Sequence, residues 1–136
     1  MGAYEIVEHT ADVGVRAQGA SLAEVFEQAT LGLCDIAGIL APGRGEEVDV
    51  KVESAPDLGS LLVDWLSEVL YLHDTRGAAV AALRIDEVSP GRASGSVALT
   101  ELRPESAGTQ VKAVTYHQLS VEQTPGGWAA RVYFDI

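Results

Sequence analysis

The sequence predicts an α+β fold in which two helices pack on antiparallel or mixed β-sheet. Two helical apolar stripes lie over 21–41 and 57–72. Alternating apolar and polar residues mark strands before, between and after them. The resulting order is ββαβα followed by four strands, which places helices on sheet rather than between parallel strands.

The first two strands run over Tyr4 to His9 and Val13 to Gln18, joined by the polar turn Thr10-Ala11-Asp12. Val13, Val15 and Ala17 alternate with Gly14, Arg16 and Gln18, the period of a half-buried strand. Gly19 breaks the strand. Ser21 and Glu24 then have capping-box spacing, in which each side chain accepts from the other's free backbone N–H. Leu22, Val25, Phe26, Ala29, Leu33, Ile36, Ala37 and Leu40 form one helical stripe, which Pro42-Gly43 is expected to stop. Val48, Val50 and Val52 alternate with Asp49, Lys51 and Glu53 as a strand with one wet face.

Pro56-Asp57 opens the second helix with Asp57 as N-cap. Its apolar surface leaves only a narrow polar stripe of Ser60, Asp64, Ser67, Glu68 and Tyr71, so the helix is expected to be largely buried. Strands follow over Ala79 to Val88 and Arg92 to Leu99, joined by a turn at Ser89-Pro90-Gly91. Lys112 to Glu122 and Trp128 to Asp135 make a second pair, turning at Thr124-Pro125-Gly126-Gly127. In the last strand Trp128, Ala130, Val132 and Phe134 share one face, and Ala129, Arg131, Tyr133 and Asp135 the other.

The chain of 136 residues has the size of one domain over 1–136, and 47% hydrophobic residues exclude intrinsic disorder. Twenty acids against nine bases give a formal charge of −11, which argues against stable nucleic-acid binding by the chain alone and against anionic membranes. The same balance suits a metal-binding surface or a basic protein partner. A single cysteine, Cys34, excludes intramolecular disulfides and multi-thiolate zinc sites. No secretory signal or bilayer-length apolar run is present, so the expected location is cytoplasmic.

Four places could carry chemistry. His9 and Asp12 could serve as metal ligands or as an acid–base pair; equally, Asp12 caps the turn and His9 decorates a strand end. At the far end, the Asp135 side chain and the terminal carboxylate of Ile136 lie one residue apart, a repulsion that a cation would relieve. Lys112 shares strand parity with Val114 and Tyr116, as a semi-buried cation or as a lysine snorkelling to water. Asp64 and Glu68 stand at i,i+4, facing a cation or simply solvent. No Gly-rich phosphate loop, Gly-x-Ser-x-Gly elbow or HExxH motif occurs. Cys34 beside the first apolar stripe is expected to be an inert thiol.

Four blocks in this order, His-Thr-Ala-Asp-Val-Gly at 9–14, Leu-Val-Asp-Trp-Leu-Ser-Glu-Val-Leu-Tyr-Leu at 62–72, Val-Lys-Ala-Val-Thr-Tyr-His at 111–117 and the closing Tyr-Phe-Asp-Ile, resemble the archease family from about Tyr4 to Ile136. The stretch from Gly77 to Gln110 carries no matching motif. The resemblance implies a two-layer α+β fold and a non-enzymatic role, as a protein cofactor of the RtcB-type RNA ligase. That ligase joins 2′,3′-cyclic-phosphate or 3′-phosphate RNA ends to 5′-hydroxyl ends through a guanylylated histidine. Its cofactor promotes guanylylation and multiple turnover, in tRNA splicing, a branch of tRNA processing, or in RNA repair. The resemblance further implies a divalent metal, Ca²⁺ with Mg²⁺ as the alternative, held by Asp12, Asp135 and Ile136 through its terminal carboxylate or carbonyl. Glu68, Lys112 and His9 fall in matching blocks as further functional residues. Asp12, Asp135 and the chain-end carboxylate offer only hard oxygens, which suits Ca²⁺ or Mg²⁺ rather than zinc. Two other readings remain: a small metal-dependent hydrolase using His9 and Lys112, and a chaperone-like accessory factor for RNA modification.

Overall fold

A computed structural model describes residues 2–8, 12–53, 55–102 and 108–136. Ten elements follow one another: β1 Ala3–Glu8, β2 Asp12–Gly19, α1 Leu22–Ala37, β3 Glu46–Glu53, α2 Leu58–Arg76, β4 Ala78–Ser89, β5 Arg92–Glu101, β6 Ala113–Val114, β7 Ser120–Thr124 and β8 Gly127–Asp135. The fold is α+β, as expected. Its strands divide into two antiparallel sheets, one ordered β1-β2-β8-β6 with β7 also on β8, the other β3-β5-β4. A single isolated parallel bridge among the described residues joins Leu40, outside the strands, to Val80 of β4.

Both helices begin as their sequences dictate. Ser21 Oγ accepts from the Glu24 N–H at 3.2 Å. The Glu24 carboxylate accepts from the N–H of Ala20 at 3.0 Å, one residue earlier than the expected reciprocal bond. Asp57 caps α2 by accepting from the Ser60 N–H at 2.7 Å, a bond that holds its carboxyl below the usual range.

The first helix ends sooner than the apolar stripe implies. Gly38 adopts φ 69°, a left-handed conformation that glycine takes without steric cost. The N–H groups of Gly38 and Ile39 then close back on Asp35 and Cys34 carbonyls, a Schellman ending. The helix therefore breaks at Gly38, four residues before the stop expected at Pro42-Gly43, and Leu40 bridges to Val80.

Each helix touches both sheets, α1 against β1, β2, β8 and β4, and α2 against β3, β4, β5, β6 and β7. Phe26, Leu33, Leu61, Leu62, Trp65, Leu66 and Phe134 are fully enclosed. The core also carries one polar link. Trp65 Nε1–H donates to Thr30 Oγ1 at 3.0 Å, and that hydroxyl donates to the Phe26 carbonyl at 2.6 Å. Ser60, placed on the polar stripe by sequence, is buried with its N–H on the Asp57 cap, whereas Tyr71 is 60% exposed as expected.

The expected strand from Lys112 to Glu122 is split. Only Ala113–Val114 and Ser120–Thr124 pair with β8, and Thr115–Leu119 lies opposite just Val132 and Tyr133. Lys112 precedes the strand and is exposed, which corrects the semi-buried alternative. No helix among the described residues is long and apolar enough to cross a membrane.

Three outcomes follow from this packing. Thr30→Val leaves the buried Trp65 N–H without its acceptor and should cost about 1–3 kcal/mol in urea denaturation. Burial pushes the Cys34 thiol up to about 12. Native protein should therefore resist alkylation at pH 8 by mass spectrometry and react fully in denaturant. Because the folded value lies above the unfolded one, the Cys34 contribution to stability is intact below pH 9.0 and is lost as pH climbs toward 12.

Candidate functional site

The register of β2 on β8 builds the site. Asp12, the first residue of β2, pairs directly with Asp135, the last of β8. Gly14 pairs with Tyr133 and Arg16 with Arg131. Directly opposed residues share a face, and alternation places this row away from the helices, because Val13, Val15, Val132 and Phe134 between them are buried in the core.

Asp12 is half-buried and Asp135 exposed. On the other side of β8, Ala113 pairs with Asp135, and the Lys112 N–H donates to the Asp135 carbonyl at 2.8 Å. Neither carboxylate forms an ion pair among the described residues. Like charges directly across a ladder are destabilising, so the pair is disposed to take up a cation. Its oxygens match Ca²⁺ or Mg²⁺ in chemistry. No three His, Cys, Asp or Glu side chains converge among the described residues, so further oxygens have to come from main chain or from outside them. His9, Thr10 and Ala11 lie outside the described residues. Ile136 adjoins Asp135 and is 39% exposed.

Beside this pair the chain makes a cover that sequence reasoning did not foresee. The Thr115 N–H and hydroxyl both donate to the Tyr133 carbonyl at 3.0 Å, and the hydroxyl accepts from the His117 N–H at 3.3 Å. Gln118 takes φ 49°, the one positive value outside glycine among the described residues. The excursion carries the His117 ring to 5.8 Å from the Tyr133 ring, and Tyr133 is only 4% exposed despite lying on the outer face. Underneath, a Cβ on Gly14 would stand 2.6 Å from Tyr133 Cδ1, so the last residue of the 9–14 block is glycine because the ring occupies its side-chain space. This cover was missed because parity reports which face a residue takes, not what returns to cover it.

Glu68 is exposed on α2 and Asp64 is half-buried. Helix α2 packs on β6, but among the described residues no ion pair joins Glu68 to Lys112. The structure brings Asp12 and Asp135 together, joins the Lys112 backbone to Asp135 by a hydrogen bond and leaves Ile136 next to Asp135 in the chain; it does not tie in Glu68.

The model of the Archease protein family matches residues 4–136. The chain belongs to the archease family. Among archease relatives, the protein of Methanosarcina acetivorans is 40% identical over 98% of this chain and 95% of its own length. That of Pyrococcus furiosus is 37% identical over the full length of both. The solution structure of Methanobacterium thermoautotrophicum protein 1598 superimposes with a TM-score of 0.73 at 32% identity, covering 98% of both chains. The crystal structure of a Thermotoga maritima archease, called a possible chaperone, matches in fold with a TM-score of 0.67 at 24% identity, covering 96% of this chain and 94% of that one.

In this archease, Gly14→Ala should push Tyr133 off the sheet and destabilise by about 1–3 kcal/mol in denaturant titration. Adding Tyr133→Ala should recover part of the loss that the glycine change alone produces.

Proposed function

We propose that the chain is a metal-binding, non-enzymatic cofactor that activates an RtcB-type RNA ligase, promoting histidine guanylylation and multiple turnover in tRNA splicing or RNA repair. The observation carrying this reading is the direct cross-strand pairing of Asp12 with Asp135, formed from the first and last of the family's sequence blocks. Family membership supports the reading, and the words "possible chaperone" attached to the Thermotoga relative favour a protein partner over a small substrate.

Asp12, Asp135 and Ile136 would hold a divalent ion, Ca²⁺ or Mg²⁺, which supplies neutralising charge that binds the end of β8 to the start of β2. The chain's own part is to hold those oxygens in register and to present Lys112 and Glu68, both exposed, to the ligase. The charge of −11 favours fast encounter with a basic, RNA-handling enzyme.

Calorimetric titration of chelator-treated protein should show Ca²⁺ binding that Asp12→Asn or Asp135→Asn abolishes. At free Ca²⁺ a hundredfold above Kd, binding stabilises the fold by about 2.7 kcal/mol, readable as a rise in Tm absent from both variants. With limiting ligase and GTP, added protein should raise guanylylation and products per ligase, and the variants should not. The reading fails if neither quantity changes, or if the protein alone turns over cyclic-phosphate RNA.

A further inference from the structure

Two rows beyond the carboxylate pair, the same outer face holds an unassigned feature. Glu5, Arg16, Arg131 and Ser120 are successive register partners across β1, β2, β8 and β7. The adjacent row is Ala3, Gln18, Ala129 and Glu122. Together they line an open groove of about 430 Å³, within the range of small-molecule sites. Asp12 to Arg16 is four residues of strand, about 13 Å, so the groove is separate from the carboxylate end.

Its charge arrangement runs against the rest of the molecule. With nine bases against twenty acids, the chain sets two arginines directly opposite each other in the ladder, and like charges so placed cost stability unless an anion shares them. Arg84 and Arg92, by contrast, are each paired with a carboxylate at 2.6 and 3.4 Å. Arg16 has Glu5 only at 3.8 Å, with both side chains more than half exposed, a weak pair. Arg131 has no carboxylate partner among the described residues. Its Nε–H donates to the Gln118 carbonyl at 2.8 Å, which orients the guanidinium and leaves its terminal nitrogens for a ligand.

We propose that Arg16 and Arg131 bind the phosphate of a phosphate monoester of mononucleotide size, whose organic part lies over Ala129 within reach of Gln18. A dianion with three terminal oxygens matches two adjacent forks, where a carboxylate would be satisfied by one. Glu5 and Glu122 also line the groove, and their charge repels a polyphosphate or a nucleic-acid backbone. The short side chains at Ala3 and Ala129 leave the second row open for the ester's organic part. The inference stands apart from the ligase reading and uses none of its residues.

The test titrates the full chain with a nucleoside 5′-monophosphate, inorganic phosphate and acetate, by calorimetry and by amide shifts of β2 and β8. Saturable binding is expected, tightest for the monophosphate. Arg131→Gln and Arg16→Gln should each weaken it at least tenfold, Arg131→Lys less, and Arg92→Gln not at all. Unchanged circular dichroism and Tm confirm that each variant is folded. Absence of saturable binding, equal affinity for acetate or inorganic phosphate, or undiminished affinity in folded Arg131→Gln protein overturns the proposal.

Discussion

The antiparallel register of β2 against β8 is the constraint on which the outer face depends. It sets three pairs in a line, Asp12 with Asp135, Gly14 with Tyr133 and Arg16 with Arg131. A slip of one residue would exchange this row for Val13, Val15, Val132 and Phe134, driving carboxylates and guanidinium groups into the core and apolar side chains into water. The packing of α1 against the inner side of these strands therefore fixes the chemistry of the outer side. The cross-strand carboxylate pair and the cross-strand arginine pair are two results of one alignment.

The same alignment explains how a strand with little apolar surface to spare buries a tyrosine outward. Tyr133 lies over a glycine, and the neighbouring chain leaves the ladder between β6 and β7 to pass above it. Thr115 keeps the Tyr133 carbonyl satisfied through both its backbone and its hydroxyl while the ladder is interrupted. The excursion is anchored again where Arg131 donates to the Gln118 carbonyl, at the one non-glycine residue with positive φ among those described. The cover thus links the groove to the carboxylate end through hydrogen bonds on β8 itself.

Much of this was legible in the residues. Period-two and helical spacings located the helices and most strands, because burial on one face leaves a direct trace in sequence. The caps at Ser21 and Asp57 were equally plain, since each satisfies orphan amides through a local bond. The end of α1 was not, because a glycine at 38 inside an apolar stripe reads as a tolerated helical residue until its backbone is seen. The interruption at 115–119 was hidden for a related reason: Lys112, Val114 and Tyr116 share strand parity, and only Tyr133 on the opposite strand demands the detour. At the site, Asp12 and Asp135 were recognised separately through their blocks, but their mutual position is a product of pairing. The arginine row was invisible because its two members are 115 residues apart in the chain.

The perimeter of the two sheets has its own consequence. One edge of each sheet, β1 and β3, carries Glu5, Glu8, Glu46, Glu47, Asp49 and Glu53. Two molecules meeting β1 to β1 or β3 to β3 would bring these anions against their own counterparts, so strand addition through these two edges is opposed at neutral pH. Part of the acidity of this chain therefore works as insulation that keeps these two exposed ladders from joining.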